Sequence, residues 1–226
     1  MMRNFLKSED MEQAFIILFQ LGFRFNHISL AANVLDRVPL LNKSLEEQTF
    51  QQNLRILALN RNGIKEFSLF QTLLNFPSLE ELDVSLNQIQ NIEDINLIQE
   101  IQEFPQLQKQ QIIIQIFNTL HRLFLSSNDL RTLESLKHVR FPNLKMITFF
   151  GNKLGLVNED QLKENHDLQV QGLLREANFI KNACPNLFKL SLDGNPITTY
   201  IPHNEYKQII LEIFLPSLKI LDNEQI

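Results

Sequence analysis

Residues 120–130 read Leu120-His121-Arg122-Leu123-Phe124-Leu125-Ser126-Ser127-Asn128-Asp129-Leu130. Leu123 and Leu125 alternate with Arg122, Phe124 and Ser126, a period of two that defines a short strand with Leu on one face and the other three on the opposite face. Asn128 falls where the strand must end and the chain must turn. Its side-chain amide carries both donor and acceptor, so it can satisfy backbone groups that lose their ladder partners there. One such segment cannot bury its own Leu face. Stacked copies can, with a parallel sheet on one side and a continuous core behind it.

The copies are present. The pattern L-x-x-L-x-L-x-x-N-x-L recurs six times, anchored at Phe25, Leu54, Leu79, Leu120, Leu144 and Leu187. The Asn slot is filled by Asn33, Asn62, Asn87, Asn128, Asn152 and Asn195. Six matches with the same polar residue in the same place are a repeat, not a coincidence. Each buried anchor contributes roughly 1.5–3 kcal/mol. Between strands, Leu69, Leu73 and Leu74 have helical spacing, and Pro77, Pro142 and Pro185 each stop the intervening element just before the next strand. Anchor spacings of 25 and 24 mark plain repeats, whereas spacings of 41 and 43 require insertions.

These residues resemble the leucine-rich-repeat family over 25–223, nearly the whole chain. The resemblance implies an α/β fold: a leucine-rich-repeat solenoid with a concave parallel sheet, a helical convex side, an N-terminal helix and a C-terminal cap. Residues 1–24 form the capping helix, with Ser8 as N-cap, Glu9, Asp10 and Glu12 in its first turn, and Met11, Phe15, Leu18, Phe19 and Gly22 following. Residues 25–205 hold the repeats, with insertions at about 93–118 and 156–183, and 206–226 form the cap. The first insertion carries Leu97, Ile98, Ile101 and Phe104, then Ile112, Ile113, Ile116 and Phe117, at helical spacing. The second carries Val170, Leu173, Leu174, Ala177 and Ile180 on one helix face. Two readings of these stripes stand: packing onto the convex side, or a docking face for a partner.

Composition narrows the function classes. With 44% hydrophobic and 21% charged residues the chain has material for a full core. A net charge of −5 and the absence of any Lys/Arg run argue against direct nucleic-acid binding. The single cysteine, Cys184, excludes a disulfide framework and any multi-cysteine zinc site, and reads as a buried structural thiol. The apolar stretch 14–19 follows Glu9, Asp10 and Glu12, the reverse of a secretory signal, and nothing approaches the length of a membrane helix. His27, His121, His138, His166 and His203 are scattered without metal-ligand spacing. Gly151 and Gly155 flank Asn152 in the wrong order for a phosphate loop. The expectation is therefore an array with no catalytic residues, cofactor, metal or small-molecule substrate, acting through protein partners in a larger complex.

The outward strand positions locate a binding surface. The first row is His27, Ile56, Glu81, Arg122, Met146 and Lys189; the second is Ser29, Ala58, Asp83, Phe124, Thr148 and Ser191. The third is Ala31, Asn60, Ser85, Ser126, Phe150 and Asp193. Phe124, Met146 and Phe150 thus fall on neighbouring strands beside Arg122 and Lys189, with the acids Glu81 and Asp83 behind. Exposed aromatic residues next to Arg are a common composition for interface hot spots. The alternative is that the chain's own loop or terminus covers them. Within the family, the short acidic array with irregular repeats and the Leu215-Pro216-Ser217-Leu218 cap resembles axonemal leucine-rich-repeat proteins such as the leucine-rich light chain of outer-arm dynein. That implies a cytoplasmic scaffold of a cilium or other microtubule assembly, capped at both ends as a small adaptor. The segment Leu192-Asp193-Gly194-Asn195-Pro196-Ile197 is also similar to nuclear repeat proteins of the spliceosome and of messenger-RNA export, which leaves a nuclear adaptor as the alternative.

Overall fold

A computed structural model describes residues 6–20, 25–38, 52–92, 117–155 and 165–226. It divides into two compact units, Met1–Leu120 and His121–Ile226. In the first unit, helix α1 (Ser8–Gln20) precedes three short strands, β1 (His27–Ser29), β2 (Ile56–Ala58) and β3 (Glu81–Asp83), with α2 (Leu69–Asn75) between the last two. The strands are parallel, with His27 opposite Ile56 and Ile56 opposite Glu81. In the second unit, β4 (Arg122–Phe124), β5 (Met146–Thr148), β6 (Lys189–Ser191) and β7 (Ile220–Leu221) run parallel, and β8 (Glu224–Gln225) closes antiparallel on β7. A 3₁₀ turn (Glu134–His138) follows β4. Helix α3 (His166–Ala183) precedes β6, and α4 (Pro196–Thr199) and α5 (His203–Phe214) lie between β6 and β7.

The strands form where the Leu alternation places them. Leu57, Leu82, Leu123, Ile147 and Leu190 are buried at the centres of β2 to β6, as are the residues two further on: Leu59, Val84, Leu125, Phe149 and Leu192. The first copy is the loose one, with Phe25 and Ile28 only half-buried. The asparagines do the turning. In Asn152, Oδ1 accepts from Leu130 N–H at 3.1 Å while Nδ2 donates to the carbonyls of Leu125 (3.0 Å) and Phe149 (2.9 Å). Asn62, Asn87 and Asn195 repeat the arrangement on their own neighbours.

The residue before each of five ladder asparagines has a left-handed backbone: Ala32, Arg61, Leu86, Ser127 and Gly151, with φ between 54° and 65°. That conformation lets the chain leave the strand and still bond sideways, as Arg61 N–H does to Ser85 O and Ser127 N–H to Phe150 O. The Pro junctions are likewise uniform. Phe76, Phe141 and Cys184 occupy one buried slot, and each carbonyl accepts from the N–H three residues on.

Residues outside the repeats make polar contacts with the first turn and with the end of β6. Ser8 is buried, and its hydroxyl donates to Arg37 O (3.0 Å) and accepts from Arg37 N–H (3.3 Å). It is therefore a tether to the first turn, and not the side-chain cap expected from the sequence; Asp10 accepts from Lys7 N–H instead. Met11 packs inward, Ile17 is exposed, and the side chains of Phe15, Leu18 and Phe19, with Gly22, lie outside the described residues. At the other end Asp222 accepts from Leu192 N–H (2.7 Å) and Asp193 N–H (2.9 Å). The Leu192 N–H corresponds to the strand-end N–H groups of Leu30, Leu59, Leu125 and Phe149, which bond to the next strand's carbonyls. Tyr206 donates to the other carboxylate oxygen at 2.6 Å and fixes it.

The insertion residues Leu97, Ile98, Ile101, Phe104, Ile112, Ile113 and Ile116 lie outside the described residues. Phe117 is buried edge-on against Phe70, with ring centroids 5.8 Å apart. In α3 the buried face is Gln169, Leu173, Glu176, Ala177, Ile180 and Ala183. Val170 is half-buried, and Leu174, expected on that face, is exposed one step round the helix.

Candidate protein-binding surface

Each strand turns its Leu residues into the core, so the residues between and beside them face outward. The parallel register then fixes which outward residues adjoin. In the second unit Arg122, Met146 and Lys189 form one row, and Phe124, Thr148 and Ser191 the next. Arg122 is exposed, while Phe124, Met146 and Lys189 are half-buried. Phe150, two residues past β5, is 48% exposed. Its ring lies over Gly194, where a Cβ would approach Phe150 Cε2 to 3.3 Å; Gly194 is also left-handed at φ 72°. A side chain there would be doubly disfavoured. Ser126 and Thr148 tie the neighbouring strands through a hydroxyl pair at 2.8 Å.

Five of the seven expected residues, Arg122, Phe124, Met146, Phe150 and Lys189, therefore lie on adjoining strands of one unit. Glu81 and Asp83 belong to the first unit, on β3. The Asp83 carboxylate is engaged locally by Ser85, accepting from its N–H at 3.0 Å and its hydroxyl at 2.5 Å. Glu80, one residue earlier, pairs with Arg55.

One exposed aromatic escapes a search confined to residues flanking the inward pair. Phe188, immediately before β6, is 46% exposed. The signal was available: the same slot holds Asn26, Arg55, Glu80, His121 and Lys145 in the other repeats and Lys219 before β7, so an aromatic there is the exception.

The reactive groups have structural explanations. Burial pushes the Cys184 thiol up to about 12, which leaves it protonated and unreactive at neutral pH. Burial and the adjacent Asp222 push the Tyr206 hydroxyl far above its ordinary range. Glu176 is fully buried, yet it accepts from Leu133 N–H at 2.7 Å and from the Thr132 hydroxyl at 3.2 Å, and pairs with Arg175 at 3.1 Å. It is a clip between α3 and the loop after β4. His27, His121, His166 and His203 are exposed; His166 meets Glu205 at 2.9 Å. Among the described residues no three His, Cys, Asp or Glu side chains cluster as metal ligands, and no helix is long and apolar enough to cross a membrane.

The six-fold motif, the in-register parallel strands and the asparagine ladder together define the architecture. The fold is that of leucine-rich repeats. No protein-family model matches the chain, and no curated protein matches it. Among solved structures it is similar to a leucine-rich-repeat protein of Leptospira interrogans, at 21% identity and a TM-score of 0.34. That match covers 87% of this chain and 48% of the other, so this chain spans about half the length of that protein.

Proposed function

We propose that this chain is a non-catalytic protein-binding scaffold or adaptor, and that its partner docks on the outward strand face of the second unit. The observation that carries the reading is Phe150, 48% exposed beside half-buried Phe124 and Met146. Apolar side chains on adjoining rigid strands with Arg122 and Lys189 at the margin offer an anchor that is already ordered before binding. The net charge of −5 favours a protein partner over nucleic acid.

The setting proposed is a ciliary axoneme or related microtubule assembly in the cytoplasm. Support comes from the resemblance of this acidic array with irregular repeats to axonemal repeat proteins. Contact with the acidic microtubule wall then runs through another protein, because like charges repel. The test is fractionation of detergent-extracted cilia against nuclei with a tagged chain, followed by cross-linking mass spectrometry. The expected result is enrichment with the axoneme and cross-links from Lys189 or Lys153 to one axonemal protein. Enrichment in the nuclear pellet with spliceosomal or export partners would replace this setting with a nuclear adaptor.

A further inference from the structure

The slot that precedes each strand forms its own row in the second unit. Phe188 N–H donates to Lys145 O at 2.9 Å, and Lys219 N–H donates to Phe188 O at 2.9 Å, so Lys145, Phe188 and Lys219 stand side by side on adjoining strands. Strand spacing puts each lysine backbone about 4.8 Å from that of the Phe. Lys189 adds a third cation one residue along. Phe188 is 46% exposed, and with Lys145, Asn186 and Ser217 it lines a shallow depression of about 500 Å³. None of the ion pairs among the described residues uses Lys145, Lys189 or Lys219. Lys145 Nζ donates to the Asn186 carbonyl at 3.4 Å. In the first unit the same slot is occupied by the mutually paired Arg55 and Glu80. Among the described residues the cations around Phe188 therefore lack the paired carboxylate that Glu80 gives Arg55 in the first unit.

We propose that this row is a second docking surface, specific for an extended acidic peptide segment of a partner protein with one apolar or aromatic side chain between its carboxylates. The charge pattern selects the occupant. Two lysines either side of an aromatic ring match an acid-x-apolar-x-acid sequence, whose alternate side chains share a face and step by roughly 7 Å. Flexible lysine stems bridge the difference from the strand spacing. A nucleic acid strand fits less well, since it presents continuous negative charge to a chain of net charge −5 with only three cations at this place. The surface is centred away from the one around Phe150 and shares only Lys189 with it. It lies at the opposite end of the strands, about five residues and hence about 16 Å away along β5.

The experiment is a fluorescence-anisotropy titration of the full chain. The probe is a short labelled peptide of alternating Glu and Ser around one central Phe. Saturable binding is expected, weakened at least about tenfold by Lys145→Glu/Lys219→Glu and by replacing the probe's Phe with Ala. Phe188→Ala should weaken it several-fold, and salt should weaken it between roughly 0.1 and 0.5 M. The milder Lys145→Gln/Lys219→Gln pair covers any loss of folding in the charge reversal. The Phe150→Glu variant should bind the probe normally, which separates this surface from the proposed partner site. Absence of saturable binding by the unaltered chain would overturn the proposal. So would affinity indifferent to both lysine pairs, and so would a uridine oligonucleotide that binds more tightly than the peptide through the same residues.

Discussion

Asn152 satisfies three backbone groups that water cannot reach: one buried N–H and two buried carbonyls. An apolar replacement leaves all three without a partner, and a buried unsatisfied polar group costs about 1–3 kcal/mol. Asn152→Ala is therefore expected to destabilise the chain by about 2–4 kcal/mol in urea unfolding. Asn33 is the internal control. Its Oδ1 accepts a long 3.4 Å bond from Leu6 at an exposed edge, and its Nδ2 donates to the part-buried Leu30 (3.0 Å) and Ala31 (3.4 Å) carbonyls, so Asn33→Ala should cost less than Asn152→Ala, about 1 kcal/mol. Equal losses at the two sites would show that the ladder does not stabilise the turns. The asparagines were legible in the sequence because they recur at a fixed offset from the Leu pairs. The left-handed residue before each was not. Ala32, Arg61, Leu86 and Ser127 share no side-chain chemistry, and only Gly151 and Gly194 hint at the backbone demand.

At the scale of one element, α3 shows where periodicity reads well and where it misleads. Leu173, Ala177 and Ile180 were correctly legible as a buried stripe, because apolar residues at helical spacing mark the inward face. The stripe's other members were invisible. A pattern that counts only apolar residues assigns Glu176 to solvent and Leu174 to the core, whereas Glu176 is fully buried and Leu174 is 37% exposed. The reason is a local need: Leu133 N–H and the Thr132 hydroxyl require an acceptor where the loop after β4 meets α3, and a carboxylate supplies it. Glu176→Ala should destabilise by about 2–4 kcal/mol, since it strands a buried N–H and opens a cavity. Leu174→Ala should change stability by about 0.5 kcal/mol or less. Chemical denaturation of the two variants side by side checks the assignment, and the reverse ranking would restore the apolar-stripe reading.

At the scale of the whole molecule, stability should depend on alkaline pH in a defined direction. Cys184 titrates at about 12 when folded against 9.0 in its ordinary environment. Tyr206 is shifted the same way. A group whose pKa is raised by folding holds its proton in the native state after the unfolded chain has lost it. The stability it contributes is thus complete below about pH 9 and declines as pH rises toward 12, by about 1.4 kcal/mol per pH unit for one such group. Thermal melts at pH 9, 10 and 11 should fall progressively, and Cys184→Ala should flatten part of the slope. An unchanged slope in that variant would mean the thiol is not held in the core.

The outward rows were legible at this scale too, because a period-two strand with a fixed Leu register leaves no freedom in which residues adjoin. Phe188 was not: its slot is defined by the start of the strand, and strand boundaries are the part of a pattern that sequence marks least. Phe124 and Phe150 are proposed to serve a partner and not the core. The most direct measurement of this is co-purification of the tagged Phe124→Glu/Phe150→Glu chain from detergent-extracted axonemes, alongside Phe150→Glu alone and with melting temperatures recorded for both. The expected result is two folded proteins, with the double variant losing the proposed axonemal partner by at least about 100-fold in affinity. A folded double variant that still recovers the partner in full, or a single Phe150→Glu chain that unfolds, would contradict it.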